Sequence, residues 1–344
     1  MAGSQSRGAR AGDRPPVDFP GGLRQSAPVL AISATIAPIF LLLVLGYLLR
    51  RMHFPGRAAA GPDGFWPAAD RLVYWLLFPA LLFQETSRAP LSSGVLGAYA
   101  LALIGAMVLT GLAALAICRV AGFPHTATGS VFQGAMRHNT FIAFAVCDGL
   151  FGAAGLSQAA LATSILVPVT NLAAVGVLVV LHHDSADGGL ARRLMRELSR
   201  NPLLIAIALG LGCNAGGVML PAILTDTVGL LARVTLPLAL LCVGAALRLE
   251  ALRKAGPPLL VSTAGKLLLF PALILGLVAL SGLGGMPAIV AAVYGAVPTA
   301  VSGYALARQF GSDAELMAGI ITLQTLVAFV SMPATLLLAT TLFG

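Results

Sequence analysis

Gly134-Ala135-Met136-Arg137-His138-Asn139-Thr140 is a polar interruption inside a stretch otherwise apolar enough for a membrane. The flanking residues, His125 to Met136 and Thr140 to Phe151, suit two half-helices. At ~1.5 Å per residue each half rises roughly 18 Å, a little over half of a ~30 Å hydrocarbon core. The break therefore falls near the bilayer midplane, where free backbone groups are tolerated only if protein buries them or water reaches them. A second apolar span is interrupted at a comparable depth, at Tyr294-Gly295-Ala296-Val297-Pro298-Thr299. Two interruptions in corresponding positions are the best sequence pointer to a midplane binding site.

Working outward, the whole chain reads as membrane-embedded. It is 58% hydrophobic and 10% charged, with a mean hydropathy of +0.92, against about 25% charged residues in an average soluble chain. Cys118, Cys147, Cys213 and Cys242 form no CxxC pair and lie in or beside apolar spans. They read as small buried residues, neither a disulfide framework nor a metal site. Residues 1–28, rich in Gly, Arg, Ser and Pro, read as a disordered tail and not a signal peptide.

Ten spans follow, at about 29–49, 68–83, 94–118, the broken 125–151, 156–181, 201–213, 227–247, 258–280, the span broken at Pro298, and 316–342. They divide into a first repeat over 29–181, a hydrophilic linker over 182–200 and a second repeat over 201–344. Pro38 and Gly46 are spaced as Pro202 and Gly210 are, and Asn139 follows Pro79 much as Pro298 follows Pro237. Past the breaks one offset of 159 places Thr140 on Thr299, Phe151-Gly152 on Phe310-Gly311, and Thr163 on Thr322. Five spans per half is an odd number, so the halves are expected to be inverted, a plan common among secondary transporters. The expected fold is all-α: ten transmembrane helices in a five-plus-five inverted repeat, with helices 4 and 9 broken.

One set of loops collects Arg50, Arg51, Arg57, Arg71, Arg119, Arg192, Arg193, Arg196, Arg200, Arg248, Arg253, Lys254 and Arg308. The other holds Arg88 and the tail residues Arg7, Arg10, Arg14 and Arg24. The positive-inside rule puts the first set in the cytoplasm, so the chain is expected to be a multi-pass protein of the cell (inner or plasma) membrane with both termini outside the cytoplasm. The net charge of +8 thus reports topology, and nucleic acid is not an expected partner.

Inversion points the second half-helices at each other, one beginning at Thr140 and the other at Thr299. Each would present unpaired N–H groups and a positive dipole end, together suited to a carboxylate. Asn139 fits the N-cap of the first, with its amide able to bond substrate; Pro298 fits the start of the second. Arg137 either caps the preceding half-helix or supplies a countercharge. Lys266, roughly 12 Å into its span, is read three ways: pairing with substrate, standing where a coupling cation would sit, or snorkelling to the interface. Its counterpart under the offset is Met107. His138 reads as structural, and Asp148 as an interfacial carboxylate with a weaker claim on proton coupling. No Walker motif, nucleotide fingerprint, nucleophile–base pair or metal constellation appears, so no enzyme activity, cofactor or bound metal is expected.

Several segments resemble the auxin efflux carrier family: Arg137-His138-Asn139-Thr140, Asn201-Pro202-Leu203-Leu204, Leu236-Pro237-Leu238-Ala239, Ala296-Val297-Pro298-Thr299-Ala300 and the run from Gly311 to Pro333. The resemblance covers nearly the whole chain after the tail, and points to a bacterial member. It implies a fold related to bile-acid sodium symporters and an organic-anion site where helices 4 and 9 cross. Plant members often carry a long central loop, which the short linker here lacks. Pro298 has no adjacent amide residue, a departure that sets auxin itself apart from the other carboxylates.

The expected function is a secondary transporter or uniporter of small mono- or dicarboxylates, working by alternating access of an elevator or rocking type. Its substrate-binding residues would be Arg137, Asn139, Thr140, Lys266, Pro298 and Thr299. Expected partners are the organic anion, the lipid bilayer, a coupling proton or sodium ion, and a second copy of the chain in a homodimer. The alternatives are a sodium-coupled symporter of bile-acid-like anions and, in a different class, a membrane channel or sensor.

Overall fold

The structure, a computed structural model, describes residues 28–56, 64–89, 93–182, 195, 198–254 and 256–344. The tail expected over 1–28 and the linker over 182–200 lie almost entirely outside the described residues. Among the described residues every regular element is helical. Helix α1 (Pro28–Arg51) is followed by α2 (Phe65–Leu72), which runs through a π-helical turn at Val73–Leu77 into α3 (Phe78–Arg88). Then come α4 (Ser93–Val120), α5 (His125–Met136) and α6 (Thr140–His182). The rest of the chain forms α7 (Pro202–Ala215), α8 (Ala222–Ala246) and a short 3-10 helix at Leu249–Lys254. A second π turn, Gly265–Leu269, joins α9 (Pro257–Ala264) to α10 (Phe270–Ser281), and α11 (Gly285–Ala296), α12 (Ser302–Gln309) and α13 (Ala314–Phe343) complete the fold.

Among the described residues six helical runs are long and apolar enough to cross a membrane, where ten spans are expected from the sequence; Pro202–Ala215 and Gly285–Ala296 are shorter apolar helices. The difference has local causes. The run from Phe65 to Arg88 carries Asp70, Arg71, Glu85 and Arg88, and the α5–α6 pair merges into one continuous apolar run. Large apolar side chains such as Leu41, Leu101, Leu209, Leu230, Leu268 and Val330 stand exposed around the outside. So many exposed large apolar side chains suit lipid better than water. The chain is a polytopic membrane protein.

Interruptions follow from residue chemistry. Pro79 and Pro271 lack the N–H that would bond back to Trp75 and Leu267, and their rings crowd those carbonyls; both sites are relieved by a π turn. Inside α6, Gly152 adopts φ 58 and ψ −142, which separates a first half from a second. Gly311, its counterpart under the 159 offset, has φ 71 just after α12. Both positions lie in a region that side-chain-bearing residues rarely adopt.

Close packing of two helix pairs sets the frame. A Cβ on Gly46 would lie 2.1 Å from the Leu241 carbonyl oxygen, and one on Gly244 would lie 1.9 Å from that of Leu43. The α1 and α8 backbones therefore touch directly. Likewise a Cβ on Gly210 would lie 2.8 Å from the Phe83 carbonyl oxygen, which brings α7 onto α3. There Asn214 Nδ2 donates to the Thr86 and Ala89 carbonyls at 3.0 and 2.8 Å. At the centre, residues 127–136 of α5 and 288–296 of α11 are all buried. Helices apolar or small on every side belong in such a position.

Candidate functional site

Helix α5 ends at Met136, and Arg137 turns the backbone to φ −71, ψ 159. Three residues later α6 begins at Thr140, capped as expected by Asn139: its Oδ1 accepts from Ile142 N at 3.2 Å. The second break spans residues 297–301, between α11 and α12. The two breaks are joined directly, because Asn139 N–H donates to the Pro298 carbonyl at 2.8 Å.

Gln324, from α13, ties both broken ends together. Its Oε1 accepts the Thr299 N–H at 2.9 Å, and its Nε2 donates to the Gly134 carbonyl at 3.0 Å and the Ser262 carbonyl at 3.2 Å. Thr299 Oγ1 donates to the Gln133 carbonyl at 3.4 Å. All of these groups are buried. Irregular backbone deep in a membrane protein is stable only when so satisfied.

Beside this junction lies a cavity of about 340 Å³. Its walls include Arg137, His138 and Thr140 from the first break, Ala300 and Ser302 from the second, and Asn171 from α6. Arg137 is 6% exposed. Its Nη2 donates to Ser302 Oγ at 2.9 Å, while Nε and Nη1 have no partner among the described residues. A guanidinium is a fork of fixed donors, and here part of the fork is left over for something else. His138 is 4% exposed, and neither ring nitrogen has a partner among the described residues; its ring lies 5.4 Å from that of Tyr294. The Thr140 and Phe141 N–H groups at the start of α6 make no hydrogen bond among the described residues. Among the described residues Asp70 is the one carboxylate in the cavity wall, and it is exposed. Cation, helix N-terminus and spare donors together favour an anion.

The structure thus brings Arg137 and Thr140 to the cavity. Asn139 and Pro298 form the bridge behind it, and the Asn139 amide nitrogen makes no hydrogen bond among the described residues. Three expectations are corrected. The second half-helix begins at Ser302, not Thr299, so Pro298 does not open a helix. The Thr299 N–H is not a free donor, because Gln324 takes it. Lys266 is fully buried but lies elsewhere: its Nζ donates to the Tyr294 carbonyl at 3.1 Å and sits 3.8 Å from the centre of the Phe270 ring. It caps the negative end of α11 and does not snorkel. Asp148 lies in a different cavity, of about 450 Å³, with Glu85 and Arg233.

Ser302, Asn171 and Gln324 went unmarked in the sequence. The signal for Gln324 and Asn171 is a carboxamide inside an otherwise apolar span, which needs partners when buried. Ser302 carries no such signal, since serine is common in these helices.

Residues 188–336 match the model of a family described as membrane transport protein. A chain from Methanothermobacter thermautotrophicus described as an uncharacterized transporter is 27% identical over 306 residues, covering 87% of this chain and 95% of its own length.

Proposed function

We propose that this chain belongs with the membrane transport proteins whose family model matches residues 188–336, in keeping with its resemblance to the auxin efflux carriers, and is a secondary carrier of small organic anions. A mono- or dicarboxylate binds in the cavity beside the paired helix breaks. The carrying observation is Arg137: a buried guanidinium with two nitrogens unpartnered among the described residues, in the wall of a cavity at the bridge between Asn139 and Pro298. Arg137 supplies countercharge, and the Thr140 end of α6 supplies backbone donors.

Alternating access fits the distribution of space. The Arg137 cavity reaches Tyr74 and Thr140, and the Glu85–Asp148 cavity reaches Leu81 and Ala145. Between them Phe78 packs against Phe141 and Phe144, with ring centroids 4.8 and 5.5 Å apart. That plug leaves two cavities on opposite sides of a barrier, which supports a carrier over an open channel. An inverted repeat of ten spans supplies the moving parts. It is supported by the matched contacts: Gly46 on Leu241 and Gly210 on Phe83 are related by the offsets that superpose Pro38 on Pro202 and Pro79 on Pro237. Both termini lie outside the cytoplasm in this arrangement, because the arginine-rich loops lie within.

Flux in proteoliposomes tests the reading, with a panel of mono- and dicarboxylates, neutral amino acids as controls, and imposed sodium and proton gradients. Saturable carboxylate flux is expected, and the gradients identify the coupling ion. Saturable movement of neutral solutes alone overturns the anion assignment.

A further inference from the structure

Helix α12 separates two hollows. Ser302, Ala305 and Gln309 face the Arg137 cavity. Tyr304 and Arg308, on the neighbouring stripe of the same helix, and Val301 at its N-cap face a second hollow of about 470 Å³. Its other walls bring in Arg50 from the end of α1, Arg248 just past α8, and Asp70 and Trp66 from α2. Read in the sequence, Arg50, Arg248 and Arg308 only set topology. The fold gathers them, from three distant parts of the chain, around one space.

Their existing bonds do not neutralise them. Arg50 Nη1 donates to the Ala245 carbonyl, and the Arg248 guanidinium lies over the Tyr304 ring, 4.9 Å from its centre. Neither contact supplies negative charge, and among the described residues no ion pair is made by any of the three. Among the described residues Asp70 is the single carboxylate in the wall; Glu250, on the 3-10 helix after Arg248, is exposed and does not line the hollow, though its charge acts on Arg50. Arg248 and Arg308 are exposed and Arg50 is half-buried, and three guanidiniums against one lining carboxylate leave the hollow net positive, a field that attracts an anion. Guanidinium groups are the side chains best matched to carboxylate and phosphate oxygens.

We propose that the Arg50–Arg248–Arg308 hollow is a second anion site, separate from the Arg137 cavity, for a group carrying two or more negative charges such as a dicarboxylate or a phosphate. Two sources share this chemistry, a soluble anion and the headgroup of an anionic lipid. Occupancy acts on α12 through Arg308 and through Arg248 stacked on Tyr304. On the other stripe of that helix Ser302 holds Arg137, so the second site biases the first. This last step rests on the proposed carrier function; the binding site itself does not.

The test is equilibrium binding of radiolabelled inorganic phosphate and succinate to the full chain in nanodiscs of phosphatidylcholine, with and without phosphatidylglycerol. In the lipid arm, bound phosphatidylglycerol is counted by native mass spectrometry. The variants are Arg248→Gln with Arg308→Gln, Arg308→Gln alone, Arg137→Gln, and Arg253→Gln as an exposed control outside the hollow. Loss of two charged contacts is expected to weaken binding at least about tenfold; Arg308→Gln alone should weaken it by less, and Arg253→Gln should not. Displaceable phosphate or succinate in plain phosphatidylcholine assigns a soluble anion; retention of phosphatidylglycerol assigns a headgroup. Either supports the site if the double variant abolishes it. The proposal is overturned if Arg248→Gln/Arg308→Gln binds like the wild type, if Arg253→Gln weakens binding equally, or if only Arg137→Gln does. The last outcome would leave the carrier reading intact, whereas flux failing in Arg137→Gln is not required for this site to exist. Should the double variant misfold, Arg308→Gln on its own exposed helix face decides.

Discussion

Replacing Gln324 with leucine keeps a side chain of similar size but removes the atoms that stitch the two breaks together. The Thr299 N–H and the carbonyls of Gly134 and Ser262 would each lose a bond. An average hydrogen bond between membrane helices contributes only ~0.6 kcal/mol, because the unfolded chain in lipid also finds partners. These are different, since the Thr299 N–H lies in non-helical backbone and has no neighbour in sequence to turn to. A buried polar group left unsatisfied costs ~1–3 kcal/mol, so at least two such groups cost about 2–6 kcal/mol. Thr325→Val is the internal control: Thr325 is equally buried, but its Oγ1 donates to the Ile321 carbonyl of its own helix. Reversible unfolding in mixed micelles, followed by denaturant titration, gives both values. Gln324→Leu should lose more than about 2 kcal/mol and Thr325→Val less than about 1 kcal/mol. Equal losses in the two variants would refute the view that the breaks are held from α13.

Three further outcomes follow from the same geometry. Gly46→Ala and Gly244→Ala each force apart two helix backbones and should destabilise by about 1–3 kcal/mol or more. Gly212→Ala, which meets nothing within 4 Å, should be neutral in the same melts. Lys266→Met installs the residue found at the matching position of the first half; it should leave KM for the carried anion within about twofold and change stability by less than about 3 kcal/mol, because the uncapped Tyr294 carbonyl and the removed buried ammonium act in opposite directions. A tenfold rise in KM would instead place Lys266 in the binding step. Ser302→Ala frees Arg137 Nη2 from its one partner, and should raise KM several-fold with little change in thermal stability, because a single side-chain bond is lost.

Much of this was legible in the residues. The first break was located to the residue, with α5 ending at Met136, Asn139 capping and α6 beginning at Thr140, because a cap and a polar run inside an apolar span are local signals. The second break was legible in place but not in length. Pro298 resembles an N1 proline, and nothing near it in sequence shows that Gln324, 26 residues later, captures the next N–H and delays the helix to Ser302. The depth of Lys266 could be counted along its helix, but its direction depends on where α11 ends beside it. Arg137 stood between capping and countercharge in the sequence; its cavity and its unpaired nitrogens incline it to the second. The gathering of Arg50, Arg248 and Arg308 is purely tertiary, and from the sequence these were loop charges.

Arg137→Gln is the decisive variant for the binding site itself. Glutamine keeps a polar side chain at the cavity wall and removes the charge and the fork. The measurement is initial-rate flux of a carried carboxylate in proteoliposomes, wild type against Arg137→Gln, at matched protein orientation and with thermal stability checked in parallel. With the charge gone and the fold intact, KM should rise at least about tenfold, the loss of one charged contact, and neutral analogues should not be disadvantaged. Unchanged KM and maximal rate in a folded Arg137→Gln protein would contradict the assignment of the anion to the paired helix breaks.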